Sequence, residues 1–211
     1  MQHWLSMLVQ ARIHKITKME IQIKKFSANE HIEFLLQSGK SFVACYGDLG
    51  HFKPFNDKYG HHKGDDLIQF TANLLSKVCD PAHDFIEHIG SDDFILILQS
   101  QDWEQRCHLA LSVFAQSSST LFDKKHCAMG GYMTEDRQSR IHHHLLPTLS
   151  IGAVIVTPEW FDTHNKVIDA VTSAMKMAKK SPGNSLFVER RHPNPYQMSA
   201  KQLKKMEVCY G

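Results

Sequence analysis

Two apolar segments separated by Gly90-Ser91 constrain the fold of this chain more than any other feature of its sequence. Residues 85–89 are Phe-Ile-Glu-His-Ile, and residues 92–98 are Asp-Asp-Phe-Ile-Leu-Ile-Leu. This pattern predicts a β-hairpin, because glycine supplies the positive φ that the first central position of a type II′ turn requires. The second arm is apolar after its two aspartates, which predicts a strand in the middle of a covered sheet. The two aspartates would then lie at the tip of the hairpin.

The remaining periodicity predicts helices and strands in an α+β order. Residues 41–46 are predicted to form a buried strand, and the Gly-, Asn- and Asp-rich residues 48–66 are predicted to be loop and turn. Further along, the pattern predicts helices at 67–78, 103–115 and 166–180, and strands at 127–132, 148–156 and 185–189. This order favours a central, mainly antiparallel sheet flanked by helices.

The N-terminal residues 1–40 are predicted to be a helical extension. Apolar residues recur every three or four positions from Leu5 to Phe26, which predicts a helix over residues 3–26. Such a helix could pair with its counterpart in a dimer or lie on its own domain, and both alternatives stay open. Ser27 is predicted to cap a second helix that ends at Gln37. The main domain would cover 41–191, and a Pro-rich, basic tail would cover 192–211.

Composition narrows the classes of partner. The 211 residues include 24 Lys+Arg and 22 Asp+Glu, a balance that does not predict nucleic-acid binding. No segment reaches the ~20 apolar residues of a membrane span, and no signal peptide is recognisable, so a cytoplasmic protein is expected. The 5 cysteines show no C-x-x-C spacing and are predicted to be reduced, mostly buried thiols. The histidine pair at 61–62 and triplet at 142–144 are predicted to lie in solvated loops rather than in a structural metal site.

Polar residues collect at one end of the predicted sheet. Asp48 follows the first strand, and Asp92 and Asp93 lie at the hairpin tip, so the three carboxylates would be close together if the two strands pair. Like charges at short distance need a proton or a cation. Oxygen ligands suit Mg²⁺, or Mn²⁺, which combines one or two carboxylates with phosphate oxygens and water. The pattern favours metal-assisted phosphoryl or nucleotidyl transfer. A phosphate cation and polar groups for a purine edge would come from Lys53, Asn56 and Asp65.

Two motifs resemble those of a known family. Residues 48–68 (DLGHFKPFNDKYGHHKGDDLI) and 88–98 (HIGSDDFILIL) closely resemble the GGDEF domain of diguanylate cyclases, bacterial enzymes that join two GTP into cyclic di-GMP. The spellings FKPFND, DFIEHIGSDDF and GNSLFVERR are most similar to the GGDEF module of proteins that carry EAL, CBS and GGDEF domains in series. The resemblance covers roughly residues 41–191. It implies a fold like that of the adenylyl cyclase and polymerase palm.

The resemblance also implies a role for each matching residue. Mg²⁺ would be bound by Asp48, the Leu49 carbonyl, Asp92 and Asp93. Asp93 would also take the position of the family's catalytic glutamate, which is linked to activation of the ribose 3′-hydroxyl. Phosphate would be contacted by Lys53 and Lys179, and the guanine edge by Asn56 and Asp65. Because one domain would hold one GTP, the reaction would need a homodimer with its two sites facing each other. An EAL-type or other signalling domain is a further partner that the resemblance suggests.

The match departs from the family pattern around the nucleotide. Ser91 replaces a glycine, Asp93 is one methylene shorter than the family's glutamate, Gly50 stands where a second aspartate is usual, and Gly183 where an arginine commonly helps to hold phosphate. Two hypotheses follow: a weak Mg²⁺-dependent diguanylate cyclase, or a degenerate domain that binds GTP or nothing and acts through dimerisation or a companion domain. Pro81 replaces the arginine of the family's R-x-x-D product-inhibition motif, so no feedback binding is predicted there.

Overall fold

The structure is a computed structural model that describes residues 27–135 and 138–191. The helices in these ranges are α1 Ala28–Gln37, α2 Phe52–Tyr59, α3 His61–Ser76, α4 Trp103–Ser117, α5 Lys124–Met129 and α6 His164–Ala178, with a 3₁₀ turn at Ser118–Leu121. The strands are β1 Phe42–Gly50, β2 Phe85–Ile89, β3 Asp93–Leu98, β4 Gly131–Glu135, β5 Ile141–Leu145, β6 Thr148–Val156 and β7 Ser185–Glu189. The predicted helix over 3–26 and the tail 192–211 lie outside the described residues.

Five strands form the central sheet in the order β2-β3-β1-β6-β7. β1 pairs antiparallel with β3 and with β6, β2 pairs antiparallel with β3, and β7 runs parallel to β6. The predicted α+β fold with a mainly antiparallel sheet is therefore confirmed. In the described part of the chain, no helix has both the length and the apolar character needed to cross a bilayer.

Helices cover both faces of this sheet and divide the core in two. Helices α2, α3 and α4 pack on one face, around buried residues such as Leu75 and Phe114. Helices α1 and α6 pack on the other face, around Ile32 and Val167. Burying one such side chain contributes roughly 1.5–3 kcal/mol. Because successive strand residues point to opposite faces, the even-numbered residues of β1, Asp48 among them, belong to the α1 and α6 face.

Hydrogen bonds of its own residues join helix α1 to the sheet and to α6. The predicted cap is confirmed: the Ser27 hydroxyl accepts from the Glu30 amide at 3.3 Å, and the Glu30 carboxylate accepts from the Ser27 amide at 2.7 Å. The Ala28 amide donates to Glu87 of β2 at 2.7 Å. At the other side of the helix, Glu33 accepts from the His164 amide at 3.0 Å and so caps the start of α6.

Residues 48–66 are the main departure from the sequence prediction. They form the end of β1 and then α2 and the first part of α3, with Gly60 at φ +85° between the helices, instead of loop and turn. Asp48 lies inside β1 rather than after it. The reason is burial: Phe52, Phe55 and Leu67 lie in the core, and their packing stabilises helices that Gly, Asn and Asp disfavour locally.

Three smaller predictions are also wrong. Ile89 pairs with Asp93, so the hairpin connection has three residues rather than the two of a type II′ turn, although Gly90 has the expected positive φ, +71°. Residues 127–132 are the end of α5 and the start of β4 rather than a strand. The triplet 142–144 lies in β5, which pairs with β4 in a separate two-stranded sheet, and 61–62 opens α3, so neither histidine group is in a loop. The fully buried Tyr132 anchors this small sheet, a tertiary contact that local periodicity does not reveal.

Candidate functional site

Two aspartates meet at one end of the central sheet. Asp48 of β1 stands directly opposite Asp93 of β3 in the antiparallel register, and the two carboxyl groups are close enough for Asp48 to affect the pKa of Asp93. Asp48 is only 6% exposed. Carboxylates held this close repel each other unless a proton or a cation is shared between them. The site is therefore built to hold positive charge.

The surroundings of Asp93 favour its protonated form. They raise the pKa of Asp93 to about 6: burial is the largest cause, the hydrogen bond and negative charge of Asp48 add to it, and a hydrogen bond with Tyr46 opposes it. Burial and the negative charge of Asp93 raise the pKa of Tyr46 to about 12, so its hydroxyl keeps its proton at neutral pH. Tyr46 and Asp93 thus shift each other's proton affinity at the end of the sheet where Asp93 faces Asp48.

Lys179 supplies the positive charge that Asp48 requires. It is the C-cap residue of α6, and its Nζ lies 2.6 Å from Asp48 Oδ1. The carboxylate side of this ion pair is buried, whereas the Lys179 side chain is 41% exposed. Gly152 allows α6 to approach the sheet closely, because a Cβ atom there would lie 2.0 Å from the Met175 amide nitrogen. The close packing of α6 on β6 therefore brings Lys179 to the aspartate pair.

Asp92 reaches the site mainly through its backbone. Its carbonyl accepts a hydrogen bond from the Leu49 amide at 3.2 Å, which ties the hairpin tip to the end of β1. Its carboxylate accepts a hydrogen bond from the neighbouring Ser91 hydroxyl. Two of the three predicted acids therefore meet side chain to side chain, and Asp92 contributes its negative charge from the turn. Across residues 27–135 and 138–191, His, Cys, Asp and Glu form no convergent group of three suited to a metal ion.

The three other predicted polar residues lie on α2 and α3, beyond the end of β1. Lys53 and Asp65 are exposed, whereas the Asn56 Oδ1 is buried and has no hydrogen-bond partner within the described residues. Asn56 packs directly against Gly64, the residue before Asp65. The junction of the two helices thus packs the Asn56 amide against the residue that precedes the exposed Asp65.

The structure shows the surroundings of two glycines, Gly50 and Gly183, at which the sequence departs from the family pattern. Thr148 lies opposite Gly50 in the β1–β6 register, and its hydroxyl occupies the space that a side chain at position 50 would need. Gly183 has a φ of +78° and open space around it. The sequence reasoning missed both Thr148 and Tyr46. The two-residue alternation of β1 was the available signal for Tyr46, because it puts residues 46 and 48 on one face.

The donor set fits a hard divalent cation. Asp48 and Asp93 offer carboxylate oxygens, and Asp48 already accepts a cationic group in the form of Lys179. Mg²⁺ typically binds proteins through one or two carboxylates and completes its shell with water and phosphate oxygens. Two facing aspartates therefore suffice for such an ion.

A mainly antiparallel sheet with paired aspartates on its central strands and helices on both faces defines an α+β domain with an acidic site at one end of its sheet. The family model described as "Diguanylate cyclase, GGDEF domain" matches residues 23–185. The chain therefore belongs to the GGDEF domain family, as its motifs predicted.

Relatives and solved structures agree with this assignment. The signaling protein YkoW of Bacillus subtilis is 48% identical over 56 residues, 26% of this chain and 7% of that protein. The probable diguanylate cyclase DgcT of Escherichia coli is 28% identical over 141 residues, 67% of this chain and 28% of that protein. The chain thus spans less than a third of the length of these relatives. The GGDEF domain of TpbB (YfiN) from Pseudomonas aeruginosa shares the fold, with a TM-score of 0.55, 15% identity and coverage of 84% of this chain and 90% of that one.

Proposed function

We propose that this domain is a divalent-metal-dependent diguanylate cyclase of low turnover, which condenses two GTP into cyclic di-GMP. The observation that carries the proposal is the pair of facing aspartates, Asp48 and Asp93, with Lys179 bound to the first. In each of two equivalent steps, the 3′-oxygen of one GTP attacks the α-phosphate of the other, a P–O bond forms, and pyrophosphate leaves. Asp93 is the group placed to accept the proton of the 3′-hydroxyl.

Each remaining site residue has a defined part in the proposal. Mg²⁺ or Mn²⁺ would be held by the carboxylates of Asp48, Asp92 and Asp93 with the carbonyl of Leu49, and it would stabilise the developing charge on the phosphates. Phosphate oxygens would be bound by Lys53 and Lys179. The guanine edge would be bound by Asn56 and Asp65, whose neighbouring positions on α2 and α3 supply an amide and a carboxylate.

The reaction requires two copies of the chain. One site accommodates one nucleotide, so cyclisation needs two domains whose sites face each other, and a homodimer is the functional unit. An EAL-type or other signalling domain is the companion that would supply or receive the signal.

Low turnover is expected from two features of the hairpin tip. The Ser91 hydroxyl bonds the Asp92 carboxylate and so competes with any cation for that group. Asp93 is one methylene shorter than a glutamate, and a displacement of about 1 Å in a reacting group can reduce the rate by ~10²-fold.

The same features favour a second candidate, a regulatory module that binds GTP without turning it over. Affinity for a triphosphate is lowered by the Ser91–Asp92 hydrogen bond and by the open space at Gly183, where no side chain can contact a phosphate. Such a module would act by dimerising or by contacting its companion domain.

Incubation with GTP and Mg²⁺, followed by chromatographic detection of cyclic di-GMP, separates the two candidates. The cyclase produces cyclic di-GMP at protein concentrations where sedimentation shows a dimer. Asp48→Asn and Asp92→Ala abolish that product, whereas the exposed Asp169→Asn on α6 leaves it unchanged. A dimer that binds GTP by calorimetry yet forms no product supports the regulatory module and contradicts the cyclase.

A further inference from the structure

The ion pair between Lys179 and Asp48 occupies one of the two oxygens of the carboxylate that the proposed metal ion would need. Lys179 Nζ lies 2.6 Å from Asp48 Oδ1, and the Asp48 side chain is only 9% exposed. A Mg²⁺ ion bound to the same oxygen would have to approach to about 2.0–2.1 Å. Two cations at such distances from one buried oxygen repel each other strongly, because the surroundings screen them poorly.

We infer that Lys179 is an internal competitor of the metal ion: it neutralises Asp48 while the site is metal-free and leaves Asp48 only when a divalent cation binds. This inference rests on the proposed metal-dependent function. Lys179 thus has a role in the empty site that differs from phosphate binding in the loaded site.

The position of Lys179 permits this exchange without movement of the helix. The residue lies at the end of α6, its side chain is 41% exposed, and a lysine amine at the end of a four-carbon stem can move several ångströms by rotation about its side-chain bonds. The helix itself is held at both ends. Glu33 caps its start, and Gly152 lets the Met175 backbone pack against the sheet. Only the side chain therefore needs to move.

Lys179 therefore affects the affinity for the metal ion and the affinity for the triphosphate in opposite directions. Without nucleotide, Lys179 weakens metal binding because the ion must displace it. With a triphosphate present, the displaced amine can bind a phosphate oxygen, and Lys179 then strengthens the complex. A residue that only bound phosphate would show the second effect without the first.

Manganese titration followed by electron paramagnetic resonance tests this inference on the full chain. Without nucleotide, Lys179→Met is expected to bind Mn²⁺ about five- to tenfold more tightly than the wild type, the size of a partly exposed ion pair. Lys180→Met removes the same charge from the next, exposed position and is expected to match the wild type. With a non-hydrolysable GTP analogue and Mn²⁺, Lys179→Met is expected to bind the nucleotide about tenfold more weakly. Lys179→Gln should follow Lys179→Met, and thermal melts verify that each variant is folded.

The outcomes separate this inference from the proposed function. If Lys179→Met binds Mn²⁺ no more tightly than the wild type, or if Lys180→Met tightens binding equally, the competition is refuted. If the wild type then still forms cyclic di-GMP and loses Mn²⁺ binding on Asp48→Asn, the proposed function stands alone. If neither the wild type nor Lys179→Met binds Mn²⁺, both the inference and the metal-dependent function are rejected.

Discussion

Gly64 leaves no room for a side chain beneath Asn56: a Cβ atom at position 64 would lie 1.8 Å from Asn56 Oδ1. The glycine lies inside α3, where alanine would otherwise stabilise a helix by roughly 0.5–1 kcal/mol. Glycine at position 64 therefore lowers the stability of the helix but leaves the space that the Asn56 amide occupies. The relationship connects a packing constraint to the proposed guanine contact.

Gly64→Ala is expected to weaken GTP binding about tenfold without unfolding the domain, because the new methyl group displaces the Asn56 side chain. Isothermal calorimetry measures the affinity, and a thermal melt checks the fold. The matched variant is Asn56→Ala, which removes the displaced group itself. If Gly64 acts through Asn56, the double variant binds GTP no more weakly than Asn56→Ala. Additive losses would show that Gly64 acts by another route.

Thr148 and Gly50 are expected to be coupled in stability. A Cβ atom at position 50 would lie 2.6 Å from Thr148 Oγ1, so Gly50→Ala should destabilise the domain by about 1–3 kcal/mol. Thr148→Ala removes the obstructing hydroxyl, and in that background Gly50→Ala should cost little. Urea denaturation of the four proteins of this cycle gives the coupling free energy. A Gly50→Ala cost that is the same in both backgrounds would contradict the steric explanation.

Restoring the hairpin tip is expected to raise cyclase activity. Ser91→Gly removes the hydroxyl that bonds the Asp92 carboxylate, and Asp93→Glu extends the reacting carboxylate by one methylene. Each change should increase the rate of cyclic di-GMP formation, and together they should reach ~10²-fold. Steady-state rates at saturating GTP provide the measurement, with Ser139→Gly, at an exposed position whose φ is already +57°, as the serine-to-glycine control. No gain in the double variant would show that the hairpin tip does not limit turnover.

Asp84 is expected to make stability depend on pH. Its side chain is fully buried, and burial by itself raises its pKa. Hydrogen bonds to the carboxylate outweigh that effect, so the pKa lies below its ordinary value. The donors are the amides of Asp80 and Gln99, the Ser100 hydroxyl and Arg106. The unfolded chain therefore binds this proton more tightly than the folded domain does. The resulting stabilisation is complete above the unfolded pKa of about 3.9 and is lost as the pH falls below it.

Asp84→Asn checks this linkage. The variant should be about 2 kcal/mol less stable than the wild type at pH 7, because buried donors lose a charged acceptor. The difference should shrink as the pH falls below about 4. Urea denaturation across that range measures it, and Asp66→Asn, at a side chain that is 42% exposed and only loosely paired with Lys63 at 3.8 Å, should change stability by less than ~1 kcal/mol. An unchanged difference at low pH would argue against the assigned cause.

Several elements could be predicted because their signals are local. The capping box at Ser27, the paired apolar runs around Gly90 and the stripe of α6 depend on neighbouring residues alone, and the structure confirms each of them. The two GGDEF-like motifs are likewise contiguous, so the family was recognisable before any coordinates. The roles of the site residues remain predictions.

Other features depended on residues distant in sequence. Residues 52–66 were predicted as loop because Gly, Asn and Asp dominate locally, yet burial of Phe52 and Phe55 against the sheet makes them helical.

The amino-acid sequence by itself determined where the central strands and most of the helices lie along the chain, the hairpin that carries Asp93 and the membership in the GGDEF family, since short-range periodicity and contiguous motifs encode them. Only the tertiary structure decided that Asp48 faces Asp93, that Lys179 neutralises Asp48 and that Thr148 fills the space at Gly50. These contacts depend on strand register and on the depth of helix packing. Both are set by burial of the whole core rather than by any single segment.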